Sequence, residues 1–288
     1  MANLELDSYS NTLQSPFINV AGILNFRDLG GYPVPSPANH SIRPNFLYRC
    51  AEPSLVTRDG IFEINALGIT HIYDLRSNLE LEKNRAVGRG DVIEWEGCKR
   101  IFAPVFKGED YSPEALALRL KDYADGNPGG FANSYGYILR AGAQDSFRII
   151  LLHLANEPDN PLIVHCTAGK DRTGVLCALV LSLCEVEDEI VAHEYSLTEQ
   201  GLTIEWKKSI IEHLSKNPAL QAIRNPKAAS NLISAKAVYM LATLKRIRLD
   251  FGGPEGYIIA KCGLTEEDIA NIRKNLIVEI PAVHKWLE

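Results

Sequence analysis

The sequence predicts an α/β protein with a mostly parallel central sheet flanked by helices and a helix-rich C-terminal part. Strand-like stretches alternate with helical ones over the first two thirds of the chain, which favours parallel strands covered on both faces. The apolar run Leu162-Ile163-Val164 is typical of a buried parallel strand. The apolar stretch 174–184 has no alternation and is too long for a strand, so we interpret it as a buried helix.

The elements before this strand follow from local signals. Residues 33–37 are predicted to form a proline-rich loop, and residues 57–67 a helix between an early hairpin and the first inner strand. Two inner strands are predicted at His71–Leu75 and Arg100–Ala103.

The remaining elements are predicted to be helical. Two helices are expected at 113–123 and 131–155, separated by the Gly- and Pro-rich breaker 125–130. Beyond residue 184 the chain is predicted to be nearly all helix, with breaks near Gly201, 217–218, 225–226 and 252–253. Thr265 and Asp268 are predicted to form a capping pair for the last helix.

Length and composition indicate one domain. The 288 residues are 46% hydrophobic and 23% charged, which is enough for one large core. We assign residues 1–20 to an N-terminal extension and 21–288 to a single domain. The net charge of -6 argues against nucleic-acid and anionic-membrane partners, so any attraction for phosphate must be local.

Cysteine usage and hydropathy bear on the cellular environment. The chain has six cysteines without close pairs, which favours a reducing compartment and therefore a cytoplasmic location. Residues 1–14 are polar and acidic and lack the succession of a secretory signal. The longest apolar run is too short to span a bilayer, so we expect no stable membrane insertion.

Residues 161–174 contain the most informative pattern in the chain. A buried strand ends at Cys166, a polar loop follows, and Arg172 stands six positions after the cysteine, just before a helix. Such a loop directs backbone N–H groups and the positive end of a helix dipole at one small volume, which suits inorganic phosphate or another oxyanion. This environment lowers a thiol pKa and makes Cys166 a nucleophile. Arg172 can bind two phosphoryl oxygens at once.

Other residues of the loop support this interpretation. Gly169 lets the loop turn with its amides inward. Thr173 could donate its hydroxyl to the sulfur and ease its departure from a phosphocysteine intermediate. None of the other five cysteines has an arginine six positions further on. A Walker loop is excluded because Val164 replaces its first glycine and Asp171 follows the lysine.

The string 165–174, His-Cys-Thr-Ala-Gly-Lys-Asp-Arg-Thr-Gly, resembles the active-site loop of the protein tyrosine phosphatase superfamily. Its second half is similar to the atypical branch typified by bacterial tyrosine phosphatase B, which has fungal relatives. The further segments that look like this branch are 25–32, 47–52, 73–77 with Glu80, 252–257 and 263–269. The family usually has serine where this chain has Cys50.

The resemblance covers about residues 22–277 and has consequences for fold and activity. It implies a cysteine-phosphatase-like fold and a single phosphatase domain. It implies dephosphorylation of phosphotyrosine, often with phosphoserine, phosphothreonine or phosphoinositides, and neither metal nor other cofactor.

A leaving oxygen needs a proton, and the sequence offers two donors. Asp110 follows the second inner strand, where most of the superfamily has its acid on a mobile loop. Asp171 lies inside the cysteine loop, as in the branch resembled here, and we favour it because it reaches the phosphate without a loop closing. Asp74, at the C-terminal end of a strand, is expected to orient Arg172 or Lys170, and its sharing the proton stays open.

The predicted substrate-binding residues lie in the loop and at a strand end. Lys170 either faces the pocket and holds a second phosphate or is a solvated charge. Arg76 is favoured as a substrate contact over the other arginines of the family-like segments, with a structural ion pair as the alternative. The remaining predicted contacts are His165, Thr167, Ala168 and Gly169. The insertion 113–155 and the helices around 202–214 could form a lid, by analogy alone.

Three functions therefore stand at this stage. The first is a metal-independent protein tyrosine or dual-specificity phosphatase that works through a phosphocysteine intermediate. The second is a phosphoinositide phosphatase with the same mechanism. The third is a non-catalytic pseudophosphatase, whose usual mark is loss of the cysteine, arginine or acid, all of which are present here.

Overall fold

The structure is a computed structural model that describes residues 16–86 and 94–279. Its strands are β1 (Arg27–Asp28), β2 (Pro33–Val34), β3 (His40–Ile42), β4 (Leu47–Cys50), β5 (His71–Asp74), β6 (Lys99–Phe102), β7 (Leu162–His165) and β8 (Ile277–Glu279). The main sheet has the order β1-β4-β7-β5-β6; only β1 in it is antiparallel to its neighbour. The predicted mostly parallel central sheet is confirmed, and β7 is its middle strand.

A smaller antiparallel sheet has the order β2-β3-β8. It joins the predicted early hairpin to the last described strand. The predicted proline-rich loop 33–37 is shorter than expected, because Pro33 and Val34 themselves pair with β3.

The helices are α1 (Arg58–Ala66), α2 (Asn78–Ala86), α3 (Pro113–Ala124), α4 (Pro128–Gly142), α5 (Arg148–Asn156), α6 (Asp171–Leu183), α7 (Asp188–Ser196), α8 (Thr198–Gly201), α9 (Ile204–Ser215), α10 (Pro218–Ala222), α11 (Ala228–Ile233), α12 (Ala237–Phe251), α13 (Pro254–Tyr257) and α14 (Glu266–Leu276). The helices predicted at 57–67 and 113–123 are confirmed as α1 and α3. The Thr265 and Asp268 pair forms a capping box at the start of α14, as predicted.

The single helix predicted at 131–155 is wrong in its start and in its continuity. It is α4 and α5 joined by a π-helical turn at Ala143–Phe147. α4 begins three residues earlier than predicted, because the Asn127 side chain accepts a hydrogen bond from the Gly130 amide and Pro128 occupies the first turn.

Helix α6 lies in the core directly after the candidate loop. Its residues are buried without interruption from Thr173 to Leu183, which explains why the sequence shows no amphipathic period there. It contacts α4, α7, α12 and α13. The prediction of a buried helix is confirmed, although α6 begins at Asp171 rather than at residue 174.

The N-terminal boundary of the domain stays a prediction. Residues 1–15 of the predicted extension lie outside the described residues. Phe17 and Val20 are already buried, and Phe17 pairs with Arg27 of β1. The described fold therefore includes the last residues of the segment assigned to the extension.

The two segments predicted to form a lid are connected through α10 and α11. Helix α3 contacts α10 and α11, and α9 contacts α11. A small separate core lies between these helices and includes Ala124, Leu220 and Ala228. That this unit opens and closes over the site stays a prediction. Across the described ranges, no helix combines the length and apolar character needed to cross a membrane.

Candidate active site

The cysteine loop lies at the C-terminal edge of the main sheet. Strand β7 is buried and ends at His165, Cys166 follows, and α6 begins at Asp171. Gly169 has a φ of +63°, and a Cβ there would lie 2.1 Å from the carbonyl oxygen of Cys50 at the end of β4. Only glycine fits this position, both for its backbone conformation and for the close approach of the neighbouring strand.

The carbonyl groups of the loop are held by surrounding segments and by the first turn of α6. Four consecutive carbonyl oxygens accept hydrogen bonds: Thr167 from Glu52 N (3.1 Å), Ala168 from Asn25 Nδ2 (3.0 Å), Gly169 from Arg49 Nη2 (2.6 Å) and Lys170 from Gly174 N (2.8 Å). In a trans peptide the N–H points opposite to the C=O. The amide groups of the loop therefore turn toward the enclosed side, as an anion-binding loop at a helix N-terminus requires.

Cys166 differs in position from the other cysteines. It is 2% exposed and forms no disulfide. Burial raises the pKa of Cys98, Cys177, Cys184 and Cys262 to about 12 and also raises the pKa of Cys50. Those five thiols stay protonated at neutral pH, and Cys166 is the one that lies at the anion-binding loop.

Arg172 forms a bidentate ion pair with Glu80 of α2. Its Nη1 and Nη2 donate to the two carboxylate oxygens at 2.6 and 2.7 Å. The Ser77 amide and the Thr167 hydroxyl also donate to this carboxylate, at 3.0 and 2.8 Å. Burial alone would raise the pKa of Glu80, but Arg172 and these hydrogen bonds bring it below the ordinary value. Glu80 therefore stays charged and fixes the plane of the guanidinium.

Asp171 is held by a pair of tyrosines. The Tyr135 hydroxyl donates to Asp171 Oδ1 at 2.8 Å and lies 2.6 Å from the Tyr195 hydroxyl. Burial, with the charge of Asp171, raises the pKa of both tyrosines well above the ordinary value, so they remain hydrogen-bond donors. The carboxylate of Asp171 is 29% exposed at the first position of α6.

A buried ion-pair cluster contacts the cysteine loop through Arg49. Glu194 of α7 accepts from Arg27 Nε at 2.8 Å and from Arg49 Nη1 at 2.6 Å, and all three are buried. Burial would raise the pKa of Glu194, but the two arginines bring it below the ordinary value. Because Arg49 also donates to Gly169 O, this cluster connects α7 to the loop.

Asp74 does not orient Arg172 or Lys170, contrary to the prediction. Its carboxylate accepts from Arg76 Nε and Nη2, both at 2.9 Å, and from Arg100 Nη2 at 2.8 Å. Burial would raise its pKa, but the neighbouring positive side chains bring it below the ordinary value. The nearest available cations come from its own strand end and from β6, the adjacent strand.

Arg76 is a buried ion-pair residue and not the substrate contact that its position at a strand end predicts. Besides Asp74, it binds Glu52 at 2.5 Å and Ser54 at 3.4 Å, and its side chain has no exposed surface. The alternative left open in the sequence, a structural ion pair, describes it.

Lys170 matches neither predicted alternative. It is 2% exposed, so it is not a solvated charge. Its ammonium donates to the carbonyl oxygens of Leu232 and Ser234 and lies 3.2 Å from Asp171 Oδ1. These three acceptors use the three donors of the ammonium, so the side chain joins the loop to the C-terminal end of α11 instead of facing a second phosphate.

His165 supports the backbone rather than a substrate. It is fully buried, and its Nδ1 donates to the Cys166 carbonyl oxygen at 3.3 Å. Burial lowers its pKa to about 4, so the imidazole is neutral at pH 7. Its Nε2 lies 3.7 Å from Asp74 Oδ1. The predicted substrate contact is therefore replaced by a contact to the backbone of the nucleophile.

The predicted hydrogen bond from Thr173 to the sulfur is not formed in this structure. The Thr173 hydroxyl is buried and has no hydrogen-bond partner within the described part of the chain. A buried hydroxyl without a partner costs about 1–3 kcal/mol. The helical backbone at Thr173 fixes the Cα position, so only rotation about χ1 can bring this oxygen to an acceptor.

Asp110 remains the alternative acid. It lies in a 3-10 turn, Gly108–Tyr111, and its carboxylate accepts from the Lys107 amide at 2.8 Å. Since β6 is parallel to β7, this turn is at the same edge of the sheet as the cysteine loop. The carboxylate caps its own turn, whereas Asp171 lies in the loop itself.

Sequence reasoning missed several residues that hold the site. In the sequence, Glu80 is only part of a family-like segment, and Tyr135 is not among the predicted site residues. Asn25 is likewise only part of a family-like segment, and Glu194 carries no local signal of its role. Their partners Ala168 and Arg49 are 143 and 145 residues away in sequence. A serine and a glutamate three residues apart, Ser77 and Glu80, did offer a capping signal for α2.

Comparison with known proteins agrees with this geometry. Residues 18–278 match the profile of a family described as "Tyrosine phosphatase family". The chain belongs to the tyrosine phosphatase family. The resemblance inferred from the loop is confirmed, and so is the assignment as a cysteine-dependent protein tyrosine phosphatase.

Individual relatives of this phosphatase are distant. A triple specificity protein phosphatase, PtpB, from Mycobacterium tuberculosis is 24% identical over 281 residues, which covers 89% of this chain and 97% of the relative. A putative tyrosine-protein phosphatase from Cupriavidus necator is 24% identical over 252 residues, or 87% of this chain and 85% of the relative. A tyrosine-protein phosphatase from Nostoc commune is 28% identical over 135 residues, or 46% and 45%.

Proposed function

We propose that this phosphatase hydrolyses phosphomonoesters through a phosphocysteine intermediate and without a metal ion. The observation that carries the proposal is the loop itself, in which Cys166 follows the central strand and four consecutive carbonyl oxygens accept hydrogen bonds. We infer from these bonds that the amides face the enclosed side. The thiolate attacks phosphorus, a P–S bond forms, and the bond from phosphorus to the leaving oxygen breaks. Water then attacks phosphorus, the P–S bond breaks, and the thiolate is regenerated with release of phosphate.

Arg172 and the loop amides stabilise the charge on the equatorial oxygens in both steps. Two-point binding needs a guanidinium in a fixed plane, and Glu80 provides it through bonds of 2.6 and 2.7 Å. Glu80 acts as a positioning residue, because it reaches the phosphate only through Arg172.

Asp171 is the proposed general acid. It is attached to the first turn of α6, next to the nucleophile loop, and it is partly exposed. In the first step it protonates the leaving oxygen, and in the second step it accepts a proton from the attacking water. Thr173 is proposed to stabilise the departing thiolate once its hydroxyl rotates to the sulfur.

Phosphorylated tyrosine in proteins is the substrate class we propose, with phosphoserine and phosphothreonine accepted as well. The name of the Mycobacterium tuberculosis relative, "triple specificity", supports a pocket that accepts more than one phosphorylated group. The commitment of Lys170 to two carbonyls and Asp171 argues against a second phosphate site, and so against phosphoinositides as the main substrate. A reducing compartment such as the cytoplasm suits a nucleophilic thiol.

The proposal is tested with para-nitrophenyl phosphate in the presence of a chelator, with and without vanadate. We expect turnover that survives the chelator and is inhibited by vanadate. The Cys166→Ser variant should lose turnover while it still binds a phosphotyrosyl peptide, and Cys98→Ser, at a partly exposed cysteine, serves as the matched control with normal turnover. Vanadate binding without turnover in the parent protein would identify a pseudophosphatase and overturn the proposal.

A panel of phosphopeptides and phosphoinositides assigns the substrate class. We expect the highest kcat/KM on phosphotyrosyl peptides, measurable turnover on phosphoseryl and phosphothreonyl peptides, and less on phosphoinositides. A preference for phosphoinositides would contradict the substrate assignment and leave the mechanism intact.

A further inference from the structure

A second cluster of donor atoms lies at the opposite edge of the main sheet. His71 begins β5, His153 lies in the last turn of α5, and Glu157 directly follows that helix. His71 Nε2 and His153 Nδ1 lie 4.0 and 3.8 Å from Glu157 Oε2, and the three atoms all lie within 4.8 Å of one another. The cluster is at the N-terminal end of β5, whereas Cys166 is at the C-terminal end of the parallel strand β7.

The hydrogen bonds of His153 identify its tautomer. Its Nε2 lies 2.7 Å from the carbonyl oxygen of Asn160, which can only accept, so Nε2 carries the hydrogen. In the neutral ring Nδ1 then carries the lone pair, which accepts a hydrogen bond from the Tyr73 hydroxyl at 3.0 Å and lies 3.8 Å from Glu157 Oε2. His153 is 1% exposed, so this orientation is fixed by packing.

The same reasoning applies to His71. Its Nδ1 lies 2.8 Å from the Thr70 hydroxyl, and that hydroxyl donates to the Pro161 carbonyl oxygen at 3.2 Å. The Thr70 oxygen therefore accepts from Nδ1–H, and His71 Nε2 carries the lone pair. Histidines that bind metals donate their other ring N–H to an acceptor of this kind, which fixes the ring.

We propose that His71, His153 and Glu157 form a binding site for a zinc ion. Two imidazole nitrogens and one carboxylate oxygen are a zinc donor set, and water completes the tetrahedron. Zinc bonds are roughly 2.0–2.2 Å long, so each donor must approach by about half an ångström. Glu157 is 45% exposed and can move. The ion replaces the hydrogen bond from the Tyr73 hydroxyl, whose hydrogen rotates about its C–O bond and leaves the Nδ1 lone pair to the metal.

The bound ion would connect three segments: the start of β5, the end of α5 and the turn before β7. An ion that binds the folded chain and not the unfolded one raises stability by mass action. Because the cluster lies away from the catalytic loop, this role is structural, and it is compatible with metal-independent turnover.

The test uses untagged Cys166→Ser protein, so that zinc cannot bind the reactive thiolate, after removal of metal by a chelator and dialysis. Titration with zinc chloride in a calorimeter should show one ion per chain, and zinc should raise the melting temperature. Cobalt(II) added instead should give the visible absorption of a four-coordinate ion. Magnesium and calcium should leave the melting temperature unchanged, because they prefer all-oxygen sites.

Two pairs of variants locate the ion. Glu157→Gln and His71→Gln should each weaken zinc binding by at least about tenfold. The matched controls Glu267→Gln and His213→Gln, both exposed elsewhere, should bind zinc like the parent. Glu157 is on the surface, so its variant is expected to fold. Absence of saturable zinc binding, or equal affinity in all four variants, would overturn the proposal.

Discussion

The ion pair between Glu80 and Arg172 gives the most direct prediction. The Glu80→Gln variant removes the charge that fixes the guanidinium, so Arg172 should lose its two-point geometry toward phosphate. We expect kcat/KM for para-nitrophenyl phosphate to fall on the order of 10²-fold, the cost of a misplaced catalytic group. Steady-state kinetics at pH 7 with the folded fraction checked by circular dichroism measure this loss.

Glu82 provides the matched control on the same helix. It is exposed on α2, so Glu82→Gln should retain parent kinetics. Should both variants behave like the parent, Glu80 has no part in positioning Arg172.

Asp171 as general acid leads to a prediction that depends on the leaving group. An alkoxide leaves poorly without a proton, whereas para-nitrophenolate leaves readily. The Asp171→Asn variant should therefore lose more kcat on a phosphoseryl peptide than on para-nitrophenyl phosphate, and the basic limb of its pH profile should flatten. Both effects are measured by phosphate release at roughly pH 5–9, a range that includes the acidic and the basic limb of the profile.

Asp110→Asn tests the alternative acid, and Tyr135→Phe removes one hydrogen bond to Asp171 without changing Asp171 itself. Asp110→Asn should keep the parent profile, and Tyr135→Phe should show a smaller loss in the same direction as Asp171→Asn, because its hydroxyl holds Oδ1 at 2.8 Å. If only Asp110→Asn flattens the basic limb, the acid has been assigned to the wrong residue.

The limits of sequence reasoning are clearest among these side chains. Cys166, Asp171 and Arg172 are close in sequence, and a strand, a loop and a helix are enough to bring them together. Their supports come from other elements, and which cation pairs with which carboxylate depends on the packing of those elements. The sequence therefore points Asp74 toward Arg172, although Arg76 and Arg100 lie nearer to it.

The anion-binding loop as an element depends on one glycine. Gly169→Ala should cost at least about 3 kcal/mol of unfolding free energy, because it combines a left-handed backbone with a contact to Cys50 O. Gly68 has a φ of +71°, and a Cβ at this position would have no heavy atom within 4 Å, so Gly68→Ala should cost about 1–2 kcal/mol. Urea denaturation of both variants measures the difference, and equal losses would show that the contact to β4 is unimportant.

Elements with a strong local signal are predicted well from the sequence, and those whose limits depend on tertiary packing are not. α6 follows from eleven apolar and small residues without alternation, and α14 from its capping pair. The π-helical turn between α4 and α5 has no such mark in the sequence. The predicted lid also has no local signal, because the contact of α3 with α11 joins segments about a hundred residues apart in sequence.

For the molecule as a whole, His165 predicts an acid-dependent loss of stability. Burial lowers its pKa from 6.5 to about 4, so below pH 6.5 the unfolded chain binds a proton that the folded chain does not. The contribution of the neutral, buried His165 to the free energy of unfolding is complete above pH 6.5. It falls by about 3 kcal/mol as the pH approaches 4, at 1.36 kcal/mol per pH unit. Urea unfolding at several pH values in this window measures the slope.

The His165→Gln variant separates this contribution from other groups. His71 has a lowered pKa for the same main reason, burial, and therefore acts in the same direction. The variant should be less stable than the parent at pH 7 but show a smaller slope between pH 6.5 and 4, whereas His213→Gln should keep the parent slope. An unchanged slope in His165→Gln would contradict the prediction.

The outward hydrogen bonds of the loop carbonyls have a consequence for how activity arises during folding. Their donors come from the N-terminal segment, from β4 with the residue pair after it, and from α6, so the ring of amides is assembled only when these distant parts of the chain have met. A nascent or partly unfolded chain carries the thiol without the groups that make it reactive toward phosphate. Catalytic activity is therefore acquired only when the fold is complete, and the thiol does not react with phosphomonoesters before that point.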